Sequence, residues 1–231
     1  MNAVILLAGG IGTRMQNITV PKQYVLVKGI PIFGYSLKVF DHNQKTDLVV
    51  IVADPSWREF ISGWTEKMQI RKKIIYADPG NSRQESILHG MQVLKKNGGA
   101  DAVMIHDAAR PFVTDELINT CWNTLREHEG VMPCLTAKDT FYFSIDGKKP
   151  TKLVDRNMLY AGQTPEAFLF APYLAAIEKL SAEELSQMSG STQIAFADHM
   201  DIGMIPGEDS NLKITTQTDL LFMNLYLENK R

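Results

Sequence analysis

The sequence predicts an α/β protein with a mostly parallel sheet flanked by helices. Short runs of β-branched residues alternate with longer amphipathic stretches up to residue 135, the pattern of strands joined by crossover helices. The chain has 231 residues, of which 45% are hydrophobic, enough to build one large core. The sequence contains no internal repeat, low-complexity segment or linker, so we expect a single domain over residues 1–231.

The predicted elements follow one another in a regular order at first. Strands are expected at residues 4–7, 48–53, 73–76, 102–105 and 131–135, and helices at about 31–42, 56–69, 82–96 and 114–128. A hairpin of residues 140–144 and 152–154, turning at Asp146-Gly147, then changes the rhythm. Two short helices at about 171–179 and 181–188, a strand at 202–205 and a closing helix near 217–228 complete the chain.

The predicted hairpin carries three consecutive aromatic residues, Phe141, Tyr142 and Phe143. This is more apolar surface than a monomer is expected to expose, and a doubly wound sheet offers little to cover it. We therefore expect a protruding β-hairpin arm, about residues 138–160, that packs on a second copy of the chain. The expected assembly is a homodimer.

A glycine-rich turn follows the first predicted strand. Glycines at positions 9, 10 and 12 let the backbone approach a ligand closely, and successive N–H groups of such a turn can face phosphate oxygens. Arg14 adds a permanent charge, and Lys22 supplies a second cation about one loop later. Together these residues indicate a site for a nucleoside triphosphate.

Two better-known phosphate-binding loops do not match this turn. The third glycine of a dinucleotide-binding G-x-G-x-x-G falls on Met15, and Gly12 is followed by Thr13 and Arg14 instead of the G-K-[ST] that closes a P-loop. A strand-to-helix turn that binds no ligand remains the alternative.

Polar or glycine-bearing loops follow several predicted strands, and in an open parallel sheet such loops meet at the carboxyl ends of the strands. We expect the loops of residues 9–14, 80–86, 106–111, 138–140 and 211–213 to converge on one crevice. Gly80, Asn81 and Ser86 could contact the edge of a base. Ser82 with Glu85 is also typical of a helix N-cap.

Two charged residues in the later loops, Asp107 and Lys213, each allow a functional and a structural interpretation. Asp107 could hold a phosphate-bound metal or a ribose hydroxyl, or pair with Arg110. We interpret His106 as structural, because no second histidine stands at metal-ligand spacing. Lys213 lies among apolar residues and is expected to face an anion, with a solvated lysine as the alternative.

The composition narrows the class of partner. A net charge of -2 argues against nucleic acid, and residues 3–7 are too short an apolar run to cross a membrane. We expect a cytoplasmic protein with small-molecule partners, and we interpret Cys121 and Cys134 as buried free thiols.

The sequence lacks the motifs of covalent catalysis and of zinc chemistry, G-x-S-x-G, C-x-x-C and H-E-x-x-H. A reaction between a triphosphate and a phosphate monoester needs neither, because the monoester dianion attacks unaided. It needs positioning and charge neutralisation by Arg, Lys and a divalent ion.

Motifs along nearly the whole chain resemble the cytidylyltransferases that act on ribitol 5-phosphate and 2-C-methyl-D-erythritol 4-phosphate. The matching segments are L-A-G-G-x-G-T-R-M from Leu7, P-K-Q-Y from Pro21, R-Q-x-S from Arg83, H-D-A-A-R-P from His106, D-T at Asp139, Q-T-P-x-x-F from Gln163 and N-L-K-I-T-T from Asn211. The resemblance implies a Rossmann-like nucleotidyltransferase fold, the substrates CTP and a polyol phosphate, and Mg²⁺.

The resemblance also assigns roles to individual residues. Ala8, Gly9, Gly80, Asn81 and Ser86 would surround cytidine, and Gly10, Gly12 and Arg14 would hold the triphosphate. Lys22 and Lys213, with Arg14, would stabilise the transition state, and Asp107 would lie near Mg²⁺ and the ribose. Arg110, Thr140, Arg156 and Thr164 would bind the acceptor, Thr140 and Arg156 from an arm that reaches the partner subunit.

Two departures from the family pattern bear on the acceptor. Residues 189–193 read Ser-Gly-Ser-Thr-Gln where an acidic residue followed by Ala is usual, and Asn81 replaces a commonly acidic position. Residues 7–10, 160–165 and 208–211 favour ribitol 5-phosphate, whereas residues 83–84 and 106–110 look more like the erythritol enzymes. Glycerol phosphate and, from another class, a non-catalytic nucleotide-binding subunit remain as alternatives.

Overall fold

The computed structural model describes residues 1–10 and 20–229. Its strands are β1 Asn2–Leu7, β2 Leu26–Val27, β3 Ile30–Pro31, β4 Leu48–Val52, β5 Lys73–Ala77, β6 Ala102–Asp107, β7 Gly130–Thr136, β8 Phe141–Phe143, β9 Lys152–Val154, β10 Tyr160–Gly162, β11 Glu166–Leu169 and β12 Ile202–Pro206. Its α-helices are α1 Ile32–His42, α2 Arg58–Lys67, α3 Arg83–Lys96, α4 Asp115–Thr124, α5 Phe170–Glu178, α6 Ala182–Gln187, α7 Ser191–Ala197 and α8 Gln217–Asn229.

The main sheet confirms the predicted α/β class. Within the described part of the chain it runs β10-β7-β11-β6-β1-β4-β5, and β12 pairs with β7. β1 is parallel to both β4 and β6, β5 is parallel to β4, and β12 is parallel to β7. Hydrophobic clusters lie on both faces of the sheet, one with α1, α2 and α4 and the other with α3 and α5.

Four short strands in antiparallel pairs, β2, β3, β10 and β11, were not predicted. β11 lies between β6 and β7 and pairs with both, with Glu166 opposite Ile105. It has only four residues, and a short apolar run next to a helix has no periodicity that separates strand from helix. β11 matters for the site because it brings Thr164 and Glu166 next to the end of β6.

The predicted hairpin is present as a separate two-stranded sheet. β8 pairs with β9 in antiparallel register, and Gly147 in the connecting turn has a φ of +68°, a conformation that glycine adopts readily. Phe141, Tyr142 and Phe143 are 45%, 63% and 55% exposed. That this hairpin acts as a dimerisation arm stays a prediction.

The other elements agree with the sequence with small shifts. The helix expected at 56–69 begins as a 3₁₀ turn, Pro55–Trp57, before α2, and α7 adds a third short helix after α5 and α6. Cys121 on α4 and Cys134 on β7 are buried free thiols, as predicted. Among the described helices, none combines the length and apolar character needed to cross a membrane.

Candidate active site

Loops that follow β1, β5, β6 and β12 meet at the carboxyl edge of the sheet. They enclose a cavity of about 620 Å³, which we call the glycine-lined cavity. Its lining residues are Leu7, Gly9, Gly10, Lys22, Gln23, Gly80, Asn81, Ser82, Arg83, Ser86, Asp107, Ala109, Lys213 and Thr215. The structure therefore brings together four of the five loops that the sequence predicts to converge. Gly12 and Arg14 lie outside the described residues.

The glycine turn is held from below by two buried side chains that the sequence analysis did not single out. Gln23 Nε2 donates to the carbonyl oxygens of Ala8, at 2.6 Å, and Gly10, at 2.8 Å, and the Tyr24 hydroxyl also donates to Ala8 at 2.8 Å. Ala8 is buried beneath the turn and does not line the cavity. The P-K-Q-Y segment thus supplies both a cation, Lys22, and the anchors of the turn.

The loop before α3 is closed by its own hydrogen bonds. The Ser82 hydroxyl accepts from the backbone N–H of Glu85 at 3.0 Å, which confirms the predicted N-cap. The Glu85 carboxylate accepts from the N–H of Asn81, and the Ser86 hydroxyl accepts from the N–H of Gly80 at 3.0 Å. A side chain at Gly80 would place its Cβ 2.4 Å from Glu85 Cγ, so the turn requires glycine.

An ion triad forms the inner wall of this cavity. Asp107 at the end of β6 contacts Lys213 Nζ at 2.7 Å and Arg83 Nε at 3.0 Å. Burial opposes the charge of Asp107, but Arg83 first and Lys213 next outweigh it and hold the pKa of this carboxyl well below its usual range. Lys213 faces an anion as predicted, and the anion is a side chain of the protein itself.

The alternative pairing of Asp107 with Arg110 is wrong. Arg110 Nη1 instead donates to the carbonyl oxygen of Asn211 at 2.6 Å, and the ion pairs of Asp107 within the described residues are with Arg83 and Lys213. In the sequence, Arg83 stands out only as the first residue of the R-Q-x-S motif, at the start of the helix expected at 82–96.

A second cavity of about 490 Å³, the α7 cavity, shares this wall. It is lined by Arg83, Asp107, Arg110, Met132, Gly162, Gln163, Thr164, Glu166, Ser189, Gly190, Thr192, Gln193, Phe196 and Lys213. Two predicted acceptor residues, Arg110 and Thr164, lie here. The Nε of Arg110 is buried and has no hydrogen-bond partner among the described residues.

Thr164 and His106 make hydrogen bonds to the backbone at and just after the end of β6, beside both cavities. The Thr164 hydroxyl oxygen accepts from the N–H of Asp107 at 3.1 Å and lies 3.3 Å from His106 Nδ1. His106 Nε2 donates to the carbonyl oxygen of Arg110 at 3.0 Å, so the neutral ring satisfies both neighbours. Burial lowers the pKa of His106 to about 4. The interpretation of His106 as a structural histidine is confirmed.

Residues 189–193, which differ from the family pattern, lie at the start of α7 and contribute to the lining of the α7 cavity. Arg83 Nη1 donates to the Ser191 hydroxyl at 2.8 Å, and the Glu166 carboxylate accepts from both the N–H and the hydroxyl of Thr192. Asp107 and Glu166 raise the pKa of Arg83, although burial opposes its charge. Glu166 was missed because sequence alone did not place its strand.

Thr140 and Arg156 are not brought to either cavity within one chain. They line a separate cavity of about 400 Å³ beside β9, with Leu153, Val154, Asp155 and Asn157. Arg156 Nη1 donates to the carbonyl oxygen of Lys138 at 3.2 Å. The expectation that the loop at 138–140 joins the common crevice is therefore wrong for a single chain, because that loop leads into the separate β8–β9 sheet.

The acidic residues of the site suit a metal held mainly by substrate. Among the described residues, no group of three or more His, Cys, Asp or Glu could hold a metal, and Asp107 is the one acid lining the glycine-lined cavity. Mg²⁺ is commonly bound through one or two carboxylates together with substrate phosphates. One carboxylate beside a cavity large enough for a nucleotide fits that arrangement.

Comparisons with known proteins agree with this architecture. The family model described as IspD: 2-C-methyl-D-erythritol 4-phosphate cytidylyltransferase matches residues 2–229. The protein of that name from Geobacillus thermodenitrificans (strain NG80-2) is 32% identical over 98% of this chain and 96% of its own length. The ribitol-5-phosphate cytidylyltransferase of Streptococcus agalactiae serotype III (strain NEM316) is 27% identical over 98% of this chain and 95% of its own length.

A solved structure matches over a similar extent. The 4-diphosphocytidyl-2C-methyl-D-erythritol synthase from Anaerococcus prevotii DSM 20548 has a TM-score of 0.85 and 27% identity, covering 98% of this chain and 96% of its own. Fold and site thus define a nucleotidyltransferase. The chain belongs to the IspD family of cytidylyltransferases. The family resemblance seen in the sequence is confirmed, and the alternative of a non-catalytic subunit is set aside.

Proposed function

We propose that this protein transfers CMP from CTP to a polyol phosphate and releases pyrophosphate, in a Mg²⁺-dependent reaction. The observation that carries the proposal is the wall of Arg83, Asp107 and Lys213 shared by the two cavities. A nucleotide in the glycine-lined cavity and a phosphate monoester in the α7 cavity would meet at this wall. Both substrates are anions, and the wall carries two cations for one carboxylate.

The reaction at this wall needs no protein nucleophile. An oxygen of the acceptor phosphate forms a bond to the α-phosphorus of CTP as the bond to the bridging oxygen breaks, and pyrophosphate leaves with that electron pair. Lys22 on one side and Lys213 on the other would stabilise the charge that develops on the α-phosphate. Gln23 and Tyr24 contribute before any substrate binds, because their hydrogen bonds already hold the glycine turn in place.

Asp107 is the residue that would hold Mg²⁺. The ion would supply charge neutralisation for the triphosphate and the pyrophosphate that leaves. Lys213 lies 2.7 Å from the same carboxylate and lines both cavities, where its ammonium group would contact phosphate.

The cytidine base would lie against Gly80, Asn81 and Ser86, where a compact surface of glycine and short polar side chains suits a pyrimidine. For the acceptor we propose ribitol 5-phosphate, with 2-C-methyl-D-erythritol 4-phosphate as the second candidate. Relatives of both names support these two choices. The sequence of residues 160–165 and 208–211 favours the first.

We further propose that the working unit is a homodimer in which the hairpin of one copy completes the α7 cavity of the other. The exposed aromatic residues of β8 support this, as does the position of Thr140 and Arg156 away from both cavities of their own chain. The partner's arm would bring these two side chains to the acceptor.

The test is pyrophosphate release with each of the four nucleoside triphosphates against ribitol 5-phosphate, 2-C-methyl-D-erythritol 4-phosphate and glycerol 3-phosphate, with and without Mg²⁺. We expect CTP to be preferred clearly over ATP and GTP, and one acceptor to dominate. Equal rates with all four nucleotides would contradict cytidylyl transfer, and undiminished rates in EDTA would contradict the role of the metal.

A further inference from the structure

Glu166 is a buried carboxylate in the wall of the α7 cavity, with 6% of its surface exposed. Its Oε1 is fully used, because it accepts from the N–H of Thr192 at 3.1 Å and from the Thr192 hydroxyl at 2.5 Å. Its Oε2 lies 3.8 Å from Arg83 Nη2, beyond hydrogen-bond range, and accepts no hydrogen bond from the described residues. One oxygen is therefore held and the other is available to a ligand.

The contacts of Arg83 show how far Glu166 Oε2 lies from the wall of Arg83, Asp107 and Lys213. The same guanidinium contacts Asp107 through Nε and lies beside Glu166 through Nη2. Glu166 is thus one guanidinium width from the wall at which the acceptor phosphate would react. A chain attached to that phosphate and extending into the α7 cavity would lie near Glu166, which lines this cavity together with Arg83 and Asp107.

The chemistry of a partly desolvated carboxylate determines what can pass. Its free oxygen accepts a hydrogen bond from a hydroxyl and repels a second negative charge, and in a water-poor cavity the repulsion is stronger than in water. Arg83 and Arg110 both attract this charge, but Arg83 is already paired with Asp107 and Arg110 donates to the carbonyl oxygen of Asn211. Within the described residues, neither guanidinium makes a hydrogen bond to Glu166.

We propose that Glu166 is a specificity-determining residue that accepts a hydroxyl of a neutral polyol chain and excludes acceptors carrying a second anionic group near that position. This inference rests on the proposed function, since it concerns the acceptor of the same transfer. It also gives a role to residues 189–193, which differ from the family pattern, because Thr192 orients the Glu166 carboxylate.

If the role of Glu166 is purely structural, the expected effect of replacing it is different. The carboxylate also anchors the first turn of α7 through Thr192, and loss of that anchor would lower stability and impair all acceptors alike. Specificity is therefore measured as a ratio between two acceptors that differ in one group. The suitable pair is ribitol 5-phosphate and ribonate 5-phosphate, in which the terminal CH₂OH has become a carboxylate.

With CTP and Mg²⁺, we expect the wild-type protein to prefer ribitol 5-phosphate by more than about tenfold in kcat/KM, the size of a like-charge clash. Glu166→Gln, which keeps the shape and removes the charge, should bring this ratio close to one. Glu166→Asp retains the charge and should retain most of the preference. Glu183→Gln on the exposed face of α6 is the matched control and should leave the ratio and both KM values unchanged.

Three results would overturn the inference. An unchanged ratio in a folded Glu166→Gln, even with lower rates, would mean that Glu166 only supports α7. Equal use of the two acceptors by the wild-type protein would reject it without any variant, and this covers the case in which the variant fails to fold. If the wild-type protein transfers CMP to no polyol phosphate, the proposed function fails as well, and this outcome is distinct from the first two.

Discussion

The glycine-lined cavity and the α7 cavity share a wall but are built in different ways. Loops after the parallel strands β1, β5 and β6 line the first, and much of its surface is backbone at Gly9, Gly10 and Gly80. Antiparallel strands β10 and β11 and the helix α7 line the second, where side chains such as Arg110, Thr164 and Glu166 form the surface. A backbone-lined cavity suits a constant substrate, whereas a side-chain-lined one can be retuned by single substitutions.

The largest expected effect tests whether the two cavities of one active site take residues from different subunits. Arg156→Ala should abolish transfer to the polyol phosphate and leave CTP affinity nearly unchanged, because the contacts to CTP come from other loops. Mixing it with Lys22→Ala should restore up to about one quarter of the wild-type activity, since half of the dimers are mixed and each has one intact site.

Two measurements check this prediction, CTP affinity by calorimetry and turnover before and after subunit exchange. Lys148→Ala, an exposed cation in the same hairpin, is the control and should behave as wild type. If subunits exchange and no activity returns, Arg156 serves its own chain, or the hairpin is only structural.

The next effect concerns the shared wall. Lys213→Ala should lower kcat by about 10²–10³, the loss seen when one preorganised donor to developing charge is removed, and Lys22→Ala should do the same. Lys179→Ala, which removes a surface pair with Asp198, is the control. Steady-state kinetics decides the outcome. A raised KM with unchanged kcat would make the lysine a ground-state anchor for substrate only.

An effect of pH should originate beside the α7 cavity. His106 has a pKa of about 4 in the fold and about 6.5 when unfolded, so the unfolded chain binds more protons between these values. The stability that neutral His106 contributes is complete above pH 6.5 and is lost as the pH falls towards 4. This one residue should cost about 2 kcal/mol between pH 7 and pH 5.

Urea unfolding at the two pH values measures this loss. His106→Gln should have a flatter dependence on pH, whereas His42→Gln, at an exposed histidine, should keep the wild-type slope. Because His106 contacts Thr164 and the carbonyl of Arg110, we expect KM for the acceptor to rise at low pH before the affinity for CTP changes. Identical slopes for wild type and His106→Gln would contradict the assignment.

The smallest effect tests the glycine-lined cavity. A Cβ on Gly9 would lie 2.6 Å from the Cβ of Pro79, whereas a Cβ on Gly10 meets no atom within 4 Å. Gly9→Ala should therefore lower stability by about 1 kcal/mol or somewhat more, and Gly10→Ala should not. Thermal unfolding and CTP titration separate the two effects. A Gly10→Ala protein that is stable but binds CTP poorly would show that phosphate lies against this backbone, and unchanged binding would argue against it.

The difference between the cavities also explains what the sequence could reveal. The strands β1, β4, β5 and β6 are apolar runs bounded by clear turns, so their positions along the chain and the loops after them could be predicted. The convergence of Gly80, Asp107 and Lys213 could be predicted as well. β10 and β11 are too short to carry a periodic signal, and their pairing depends on contacts far apart in sequence. Glu166, on β11, was missed for that reason.

Other details depended on tertiary contacts that no local pattern encodes. Pairing of Asp107 with its neighbour Arg110 was the alternative that the sequence left open, but the structure places Arg83, from the start of α3, in that position. Likewise, Thr140 follows a strand that ends at the common edge, yet the chain turns away into β8. Motif resemblance identified Arg110 and Thr164 of the α7 cavity without indicating how they are arranged.

The contact between Asp107 and Lys213 makes this carboxylate an intramolecular competitor for every anion that approaches the wall. It is tethered in place, so its effective concentration exceeds that of free chloride or inorganic phosphate. A ligand that brings several negative charges at once, or a cation for Asp107, would compete for Lys213 better than a single small anion would. The ion pair would therefore favour a polyphosphate over the common small anions.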